Sequence, residues 1–332
     1  MQIEKVLLSV PQPPNAAAGA LSEDLVRMVR ERFPNLAVVW ARNKEEYQAN
    51  LADSDALFAY GIKPEELTGA GRLKWIHVPY AGVEKALFPE LVESPVIVTK
   101  ASGSSGIGIA DQVFGGILYF SRGLFLARRL QNEHKWDQQG VGRHAKELVG
   151  ATLGIIGFGD IGREVAKRAH GFGMHIIATK RSRPGDNVVP EGLDEFLPRE
   201  QMDEVFRRAD YLVLAVPHTA ETYHLVGEEQ LGIMKKEAIL VNVSRGKVVD
   251  EPALIRALKE GRIAGAALDV FEEEPLPADS PLWDLPNVLI TPHMAGMNPR
   301  YMRRATEIFI ENLERLIEGR PMINVVDKRA GY

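Results

Sequence analysis

Residues 153–168, LGIIGFGDIGREVAKR, narrow the possible folds of this chain more than any other stretch. An apolar run that reads as a buried strand passes directly into Gly157-Phe-Gly159-Asp160-Ile161-Gly162, and an amphipathic helical pattern follows. A strand that feeds a glycine loop opening a helix is the phosphate-binding entry of a dinucleotide fold. Gly157 permits the tight turn, Gly159 lets the backbone approach a pyrophosphate, and Gly162 lets helix and strand pack closely. The helix N-terminus, at Asp160 and Ile161, offers N–H donors and a partial positive charge to the phosphates.

The rest of the chain repeats the strand–helix alternation. KVLLSV, LAVVW, ALFAY, LKWIHV and VIVTK read as strands in the first hundred residues, between helical stretches such as SEDLVRMVRERF and KPEELTGA. From residue 151 the pattern returns with LGIIG, HIIATK, YLVLAV, AILVNVS, GAALDVF and NVLITP, which predicts five or six strands. Such alternation implies parallel sheets with helical crossovers, and 332 residues are comfortable for two cores. The expected class is α/β, with two Rossmann-like doubly wound parallel-sheet domains. Residues 103–130 read as one long helix. A last amphipathic helix is ended by Gly319 and Pro321, after which MINVVD can pack back on the first domain.

Composition excludes several functions. With no cysteine, disulfides, thiolate catalysis and cysteine-ligated metals are ruled out. No His/Asp/Glu cluster has metal-ligand spacing, so no metal is expected. A net charge of −5 provides no basic field for nucleic acid or an anionic membrane. The N-terminal MQIEKVLLSVPQPP lacks the apolar length and cleavage site of a secretion signal, and IGIADQVFGGILYF is broken by Asp111 and too short to span a bilayer. A cytoplasmic protein is expected.

The strand HIIATK ends in Lys180, Arg181, Ser182 and Arg183. A fold of this kind wants a carboxylate there for the ribose hydroxyls. Cations instead favour a 2′-phosphate dianion, which Arg engages through two parallel hydrogen bonds. NADP(H) is therefore favoured as cofactor, with NAD(H) the alternative.

Three later stretches carry chemistry: NVSRG (242–246), DVFEEEP (269–275) and TPHMAG (291–296). Each follows a predicted strand, on the rim where doubly wound sheets bind ligands. They supply one Arg, a choice of Glu and one His. That set fits reduction of a 2-keto acid: a guanidinium for the carboxylate, an imidazolium as proton donor, and a carboxylate beside the imidazole.

These motifs, in this order, resemble the D-isomer-specific 2-hydroxyacid dehydrogenases over nearly the whole chain, most densely from Leu148 to Val326. FGM (172–174), DEPALIRALKEGRIAGAALDVFEEEPLP and SPLWDLPNVLITPHMAG belong to the same likeness. The resemblance implies that Arg245 binds the substrate carboxylate and polarises the carbonyl. It implies that His293 exchanges the proton, and that a buried Glu274 holds the other imidazole nitrogen. Glu272 and Glu273 are expected to be solvated. Some formate dehydrogenases of the superfamily have Gln where Glu274 stands, so the acid favours keto-acid chemistry.

The same likeness places Asp269 near the nicotinamide carboxamide and Pro217 beside the ring, and includes Gly296 in the cofactor loop. It assigns the backbone of Ala81 and Gly82, in PYAGVEK, to the substrate carboxylate, with Glu84 and Asp111 as charge-conserving departures. His77, His218 and His224 are rival histidines without an expected catalytic part. Trp283, Met294 and Met297 are expected chiefly as core residues.

The expected domains are residues 1–101 plus 298–332 for substrate and 102–297 for the dinucleotide, with crossings near Gly103 and Gly296–Pro299 and the active site in the cleft. A homodimer is implied, through the 103–130 helix and a loop carrying Trp136. The leading expectation is an NADP-dependent reductase of small 2-keto acids, like the glyoxylate/hydroxypyruvate reductases. A phosphoglycerate-type dehydrogenase is one alternative, disfavoured because the chain ends at Tyr332 without a regulatory domain. A nucleotide-sensing corepressor-like scaffold is the other.

Overall fold

The apolar runs become two parallel sheets in a computed structural model that describes residues 2–10, 20–83, 86–181 and 189–331. The chain divides into two units, Met1–Ser105 with Met297–Tyr332, and Gly106–Gly296. The first crossing falls later than the expected 101/102. Residues up to 105 turn back on Ala101, whose carbonyl accepts from the Ser104 amide and hydroxyl, and the next helix begins only at Gly106.

The first unit contains β1 (Lys5–Ser9), β2 (Ala37–Trp40), β3 (Ala56–Ala59), β4 (Trp75–Val78) and β5 (Ile97–Lys100), all parallel in the order β2-β1-β3-β4-β5. Alternate side chains serve opposite faces, as the two-residue period requires. Val6, Leu8, Phe58 and Trp75 pack with the helices Glu23–Arg32 and Tyr301–Ile317, while Leu7, Leu57, Ile76 and Val98 form the second layer. The tail returns to this unit: Val326 N donates to Val98 O at 2.8 Å and Lys100 N to Asn324 O at 3.1 Å, adding an antiparallel bridge at the sheet edge.

His77, on β4, is part of that core. Thr99 Oγ1 accepts from the Trp75 indole at 2.8 Å, so its own proton is available to His77 Nδ1, 2.7 Å away. Removal from water pushes the imidazole down to about 3, and the ring stays neutral. His77 is a packing histidine.

The second unit contains β6 (Thr152–Ile156), β7 (His175–Thr179), β8 (Glu195–Leu197), β9 (Tyr211–Leu214), β10 (Ile239–Asn242), β11 (Gly265–Leu268) and β12 (Val288–Ile290). All are parallel, in the order β12-β11-β10-β9-β6-β7-β8, with apolar cores on both faces. The sheet has seven strands rather than five or six. The extra one, EFL, is only three residues long and carries too little periodicity to be read from sequence.

The expected single helix over 103–130 is two helices, Gly106–Ser121 and Leu124–Asn132. Gly123 sits between them at φ 64°, a left-handed conformation that closes one helix and redirects the next. Apolar spacing runs on across the break, which is why the pattern conceals it. Trp136, just beyond, is 94% exposed. Among the described residues no helix is long and apolar enough to cross a membrane.

The depressed His77 value has a stability consequence with a definite sign. The unfolded chain binds a proton near pH 6.5 that the folded chain refuses until about pH 3, so stability is lost as pH falls through that window. Between pH 6.5 and pH 5 this one group should cost about 2 kcal/mol. Urea unfolding of the parent and His77→Gln at pH 7 and pH 5 should show a smaller acid loss in the variant; equal losses would exclude this assignment.

Candidate active site

Chain order reverses between β6 and β9, and the glycine loop opens there. Gly157 N donates to Thr179 O at 2.9 Å and Ala215 N to Ile156 O at 2.8 Å, which tie the loop to both neighbouring strand ends. Gly157 has φ 98°, and a Cβ on it would stand 2.6 Å from Ala215 O. One on Gly162 would stand 2.5 Å from Gly157 O, whereas one on Gly159 would meet nothing within 4 Å. Two glycines are thus demanded by the chain's own packing, and the third faces open space at the start of the helix Asp160–Gly171. Asp160 and Ile161 form its first turn. Thr179 Oγ1, on a residue 3% exposed at the end of β7, has no hydrogen-bond partner.

An open cradle, a helix N-terminus and an unpartnered hydroxyl together suit a dinucleotide. Lys180 and the exposed Arg181 follow β7, and Ser182 and Arg183 lie outside the described residues. Pro217 lies in the loop after β9, where its carbonyl accepts from the Thr222 hydroxyl at 2.7 Å.

The three chemical motifs leave the ends of β10, β11 and β12, which are adjacent strands. Asn242, buried at the end of β10, shapes the first. Its Oδ1 accepts from Ser244 N and Oγ at 3.1 and 2.7 Å, and its Nδ2 donates to Arg245 O at 3.2 Å. Arg245 Nη1 donates to Ser244 O at 2.8 Å. A Cβ on Gly246 would overlap the Phe271 carbonyl carbon and the Glu272 nitrogen, so the loop bearing Arg245 lies directly against the loop bearing Glu274.

His293 Nδ1 lies 2.7 Å from Glu274 Oε2, and Glu274 Oε1 accepts from Phe271 N at 3.1 Å. The structure therefore joins the predicted histidine to one of the three candidate acids. The Glu274 side chain is 36% exposed and that of His293 49%, so the expectation of a buried carboxylate is corrected. The loop 272–274 projects past the end of β11, beyond the reach of either core cluster.

Asp269 is buried, and its carboxylate accepts from Thr291 Oγ1, Met294 N and Ala295 N. Gly296 is the half-buried last residue of this unit. In the other unit Ala81 and Gly82 are half-buried in the turn after β4, and Glu84 and Lys85 lie outside the described residues.

Two further expectations are revised. Glu272 is not simply solvated: Glu251 N donates to its Oε1 at 3.0 Å, its own N donates to Glu251 Oε2 at 3.2 Å, and His224 Nε2 stands 2.8 Å away, close enough for an ion pair without hydrogen-bond alignment. Trp283, Met294 and Met297 are exposed rather than core residues: Trp283 stands on the short 3-10 helix Pro281–Asp284 before β12, and the two methionines stand on the loop beyond the end of β12. His218 Nε2 is buried without a hydrogen-bond partner. Sequence reading passed over Asn242, Gly246 and Thr291. The asparagine closing an apolar run and the glycine directly after the arginine were the available signals.

The chain is similar to several known proteins. The family profile described as D-isomer specific 2-hydroxyacid dehydrogenase, NAD binding domain, matches residues 114–295. The glyoxylate reductase of Korarchaeum cryptofilum is 40% identical over 284 residues, covering 83% of each chain. The D-3-phosphoglycerate dehydrogenase of Methanocaldococcus jannaschii is 36% identical over 313 residues, 92% of this chain, which spans 58% of that protein's length. The crystal structure of a D-isomer specific 2-hydroxyacid dehydrogenase from Xanthobacter autotrophicus in complex with NADPH and MES superposes with a TM-score of 0.81 at 30% identity, covering 98% of this chain and 99% of that one.

The overlap at Gly246 makes that residue a sharp probe. Gly246→Ala must displace the Phe271–Glu272 peptide, and misplacing a reacting group by about 1 Å can lower rates about a hundredfold. The variant should keep its circular dichroism and lose activity by about that factor, which steady-state kinetics on the purified protein would measure.

Proposed function

The chain belongs to the D-isomer specific 2-hydroxyacid dehydrogenase family, and on that premise we propose that it reduces small 2-keto acids to D-2-hydroxy acids, favouring NADP(H) over NAD(H). The observation that carries the reading is the 2.7 Å approach of Glu274 Oε2 to His293 Nδ1. A carboxylate on Nδ1 fixes the orientation of the ring and leaves Nε2 as the atom that exchanges a proton with substrate.

A reduced nicotinamide dinucleotide held at the Gly157–Gly162 loop would supply the hydride for the carbonyl carbon. His293 Nε2 delivers the proton to the carbonyl oxygen, the ring is left neutral, and solvent restores its proton before the next turnover. Arg245 offers two parallel N–H groups to the substrate carboxylate and favours charge developing on the neighbouring oxygen. The Asn242-braced turn keeps the Arg245 backbone in place between turnovers.

NADP(H) is favoured because Lys180 and Arg181, rather than a carboxylate, directly follow the end of β7 at Thr179, and the Xanthobacter relative is described with NADPH. Small keto acids are favoured by the likeness to glyoxylate reductases. Phosphoglycerate oxidation is the second reading, favoured by the 36% identity to the archaeal phosphoglycerate dehydrogenase. It would use the same residues in the reverse direction.

Turnover should be measured with NADPH and NADH against glyoxylate, hydroxypyruvate, pyruvate and longer keto acids, and with 3-phosphoglycerate and NAD in the other direction. His293→Gln should lower kcat about a thousandfold while NADPH still binds. Unchanged turnover in that variant would remove the histidine from the mechanism. The Lys180→Ala/Arg181→Ala double variant should raise the NADPH KM about thirtyfold and leave that for NADH nearly unchanged. A parent with no NADPH preference, or one whose preference survives both substitutions, would refute the cofactor assignment.

A further inference from the structure

We propose that Asp269 is a positioning residue for His293, acting with Thr291 and Gln112 to hold the imidazole where Nδ1 meets Glu274. The inference deepens the acid/base reading above and rests on it. Asp269 is 3% exposed, and a carboxylate so far from water persists only with donors or a counter-charge around it. The donors come from one short segment. Oδ1 accepts from Thr291 Oγ1 at 2.6 Å and Met294 N at 3.0 Å, and Oδ2 accepts from Ala295 N at 2.8 Å. These residues flank His293 on both sides. The main chain completes the grip, since His293 N donates to Asp269 O at 2.8 Å and to Thr291 O at 3.0 Å.

That grip answers a specific need. His293 has φ 49°, in the left-handed region that side-chain-bearing residues avoid. Left alone, the loop would relax to a commoner conformation and swing the ring away from Glu274. Charge-assisted hydrogen bonds to a buried carboxylate are strong enough to hold the rarer one. The Thr291 hydroxyl has a single proton, which goes to Asp269, and its oxygen accepts from Gln112 Nε2 at 3.3 Å. The helix Gly106–Ser121 is thereby linked through Gln112, Thr291 and Asp269 to the histidine loop.

A residue that only contacted the nicotinamide would, when altered, weaken nucleotide binding. A residue that positions His293 would lower kcat at unchanged nucleotide affinity and disturb the imidazole even in nucleotide-free protein. Thr291→Val removes the hydroxyl at nearly constant volume, and Thr291→Ser keeps it. Three quantities distinguish the cases: kcat, the NADPH Kd by fluorescence titration, and the His293 tautomer from long-range proton–nitrogen spectra of nucleotide-free, ¹⁵N-histidine-labelled protein, assigned with His293→Gln.

The expected result is that Thr291→Val lowers kcat about tenfold, keeps the NADPH Kd within about twofold, and moves His293 from the Nδ1–H form toward Nε2–H. Thr291→Ser restores all three, and Asp269→Asn reproduces the valine signature more severely. Parent kcat and parent tautomer in Thr291→Val, or a loss confined to the NADPH Kd, would overturn the proposal. Full turnover by His293→Gln would instead sink the acid/base reading, while the tautomer measurement would still decide whether Thr291 and Asp269 set the ring.

Discussion

A parallel sheet brings all of its carboxyl strand ends to one edge, and the candidate chemistry of this protein depends on that constraint. In the second unit Asn242 pairs with Leu268 and Leu268 with Ile290, so β10, β11 and β12 finish side by side. With neighbouring strands about 4.8 Å apart, three loops distant in sequence must start within about 10 Å of one another. Arg245, Glu274 and His293 come from those three loops. Apolar cores on both faces keep the strands from sliding, which gives the loops a rigid base.

Polar satisfaction then determines the shape of each loop. Asn242 spends its amide on the turn that carries Arg245, Asp269 spends its carboxylate on the turn that carries His293, and Glu251 and Glu272 clasp each other's backbone. Buried donors and acceptors near a strand end have few alternatives, so each such side chain selects one loop conformation. The histidines illustrate how strongly surroundings decide chemistry. His77 is sealed among Trp75, Phe58 and Phe309 and stays neutral, whereas His293 stands half-exposed with a carboxylate on Nδ1.

Much of the fold was legible because its signals are local. Short continuous apolar runs, separated by helical periods, marked nearly every strand, and the glycine loop announced both its turn and its helix. What escaped was short or locally ambiguous. EFL at 195–197 has too few residues to show a period, and the apolar spacing of 106–132 runs through Gly123 although the helix does not. The exposure of Glu274, Met294 and Met297 was equally hidden, since exposure depends on how far a loop projects beyond a strand end.

Sequence alone settled the α/β class, the glycine cradle, the cations Lys180 and Arg181 directly after β7, and the three motifs with their residue types. Residue spacing left Glu272, Glu273 and Glu274 open and the family resemblance singled out Glu274; the folded chain brings that acid to the histidine. It also decided that Gly246 must lack a side chain, and that the Asp269 carboxylate turns toward the loop around His293. The reason is geometric: these contacts join residues some twenty positions or more apart, and their existence depends on strand adjacency and on where each loop leaves its sheet, which no local stretch encodes.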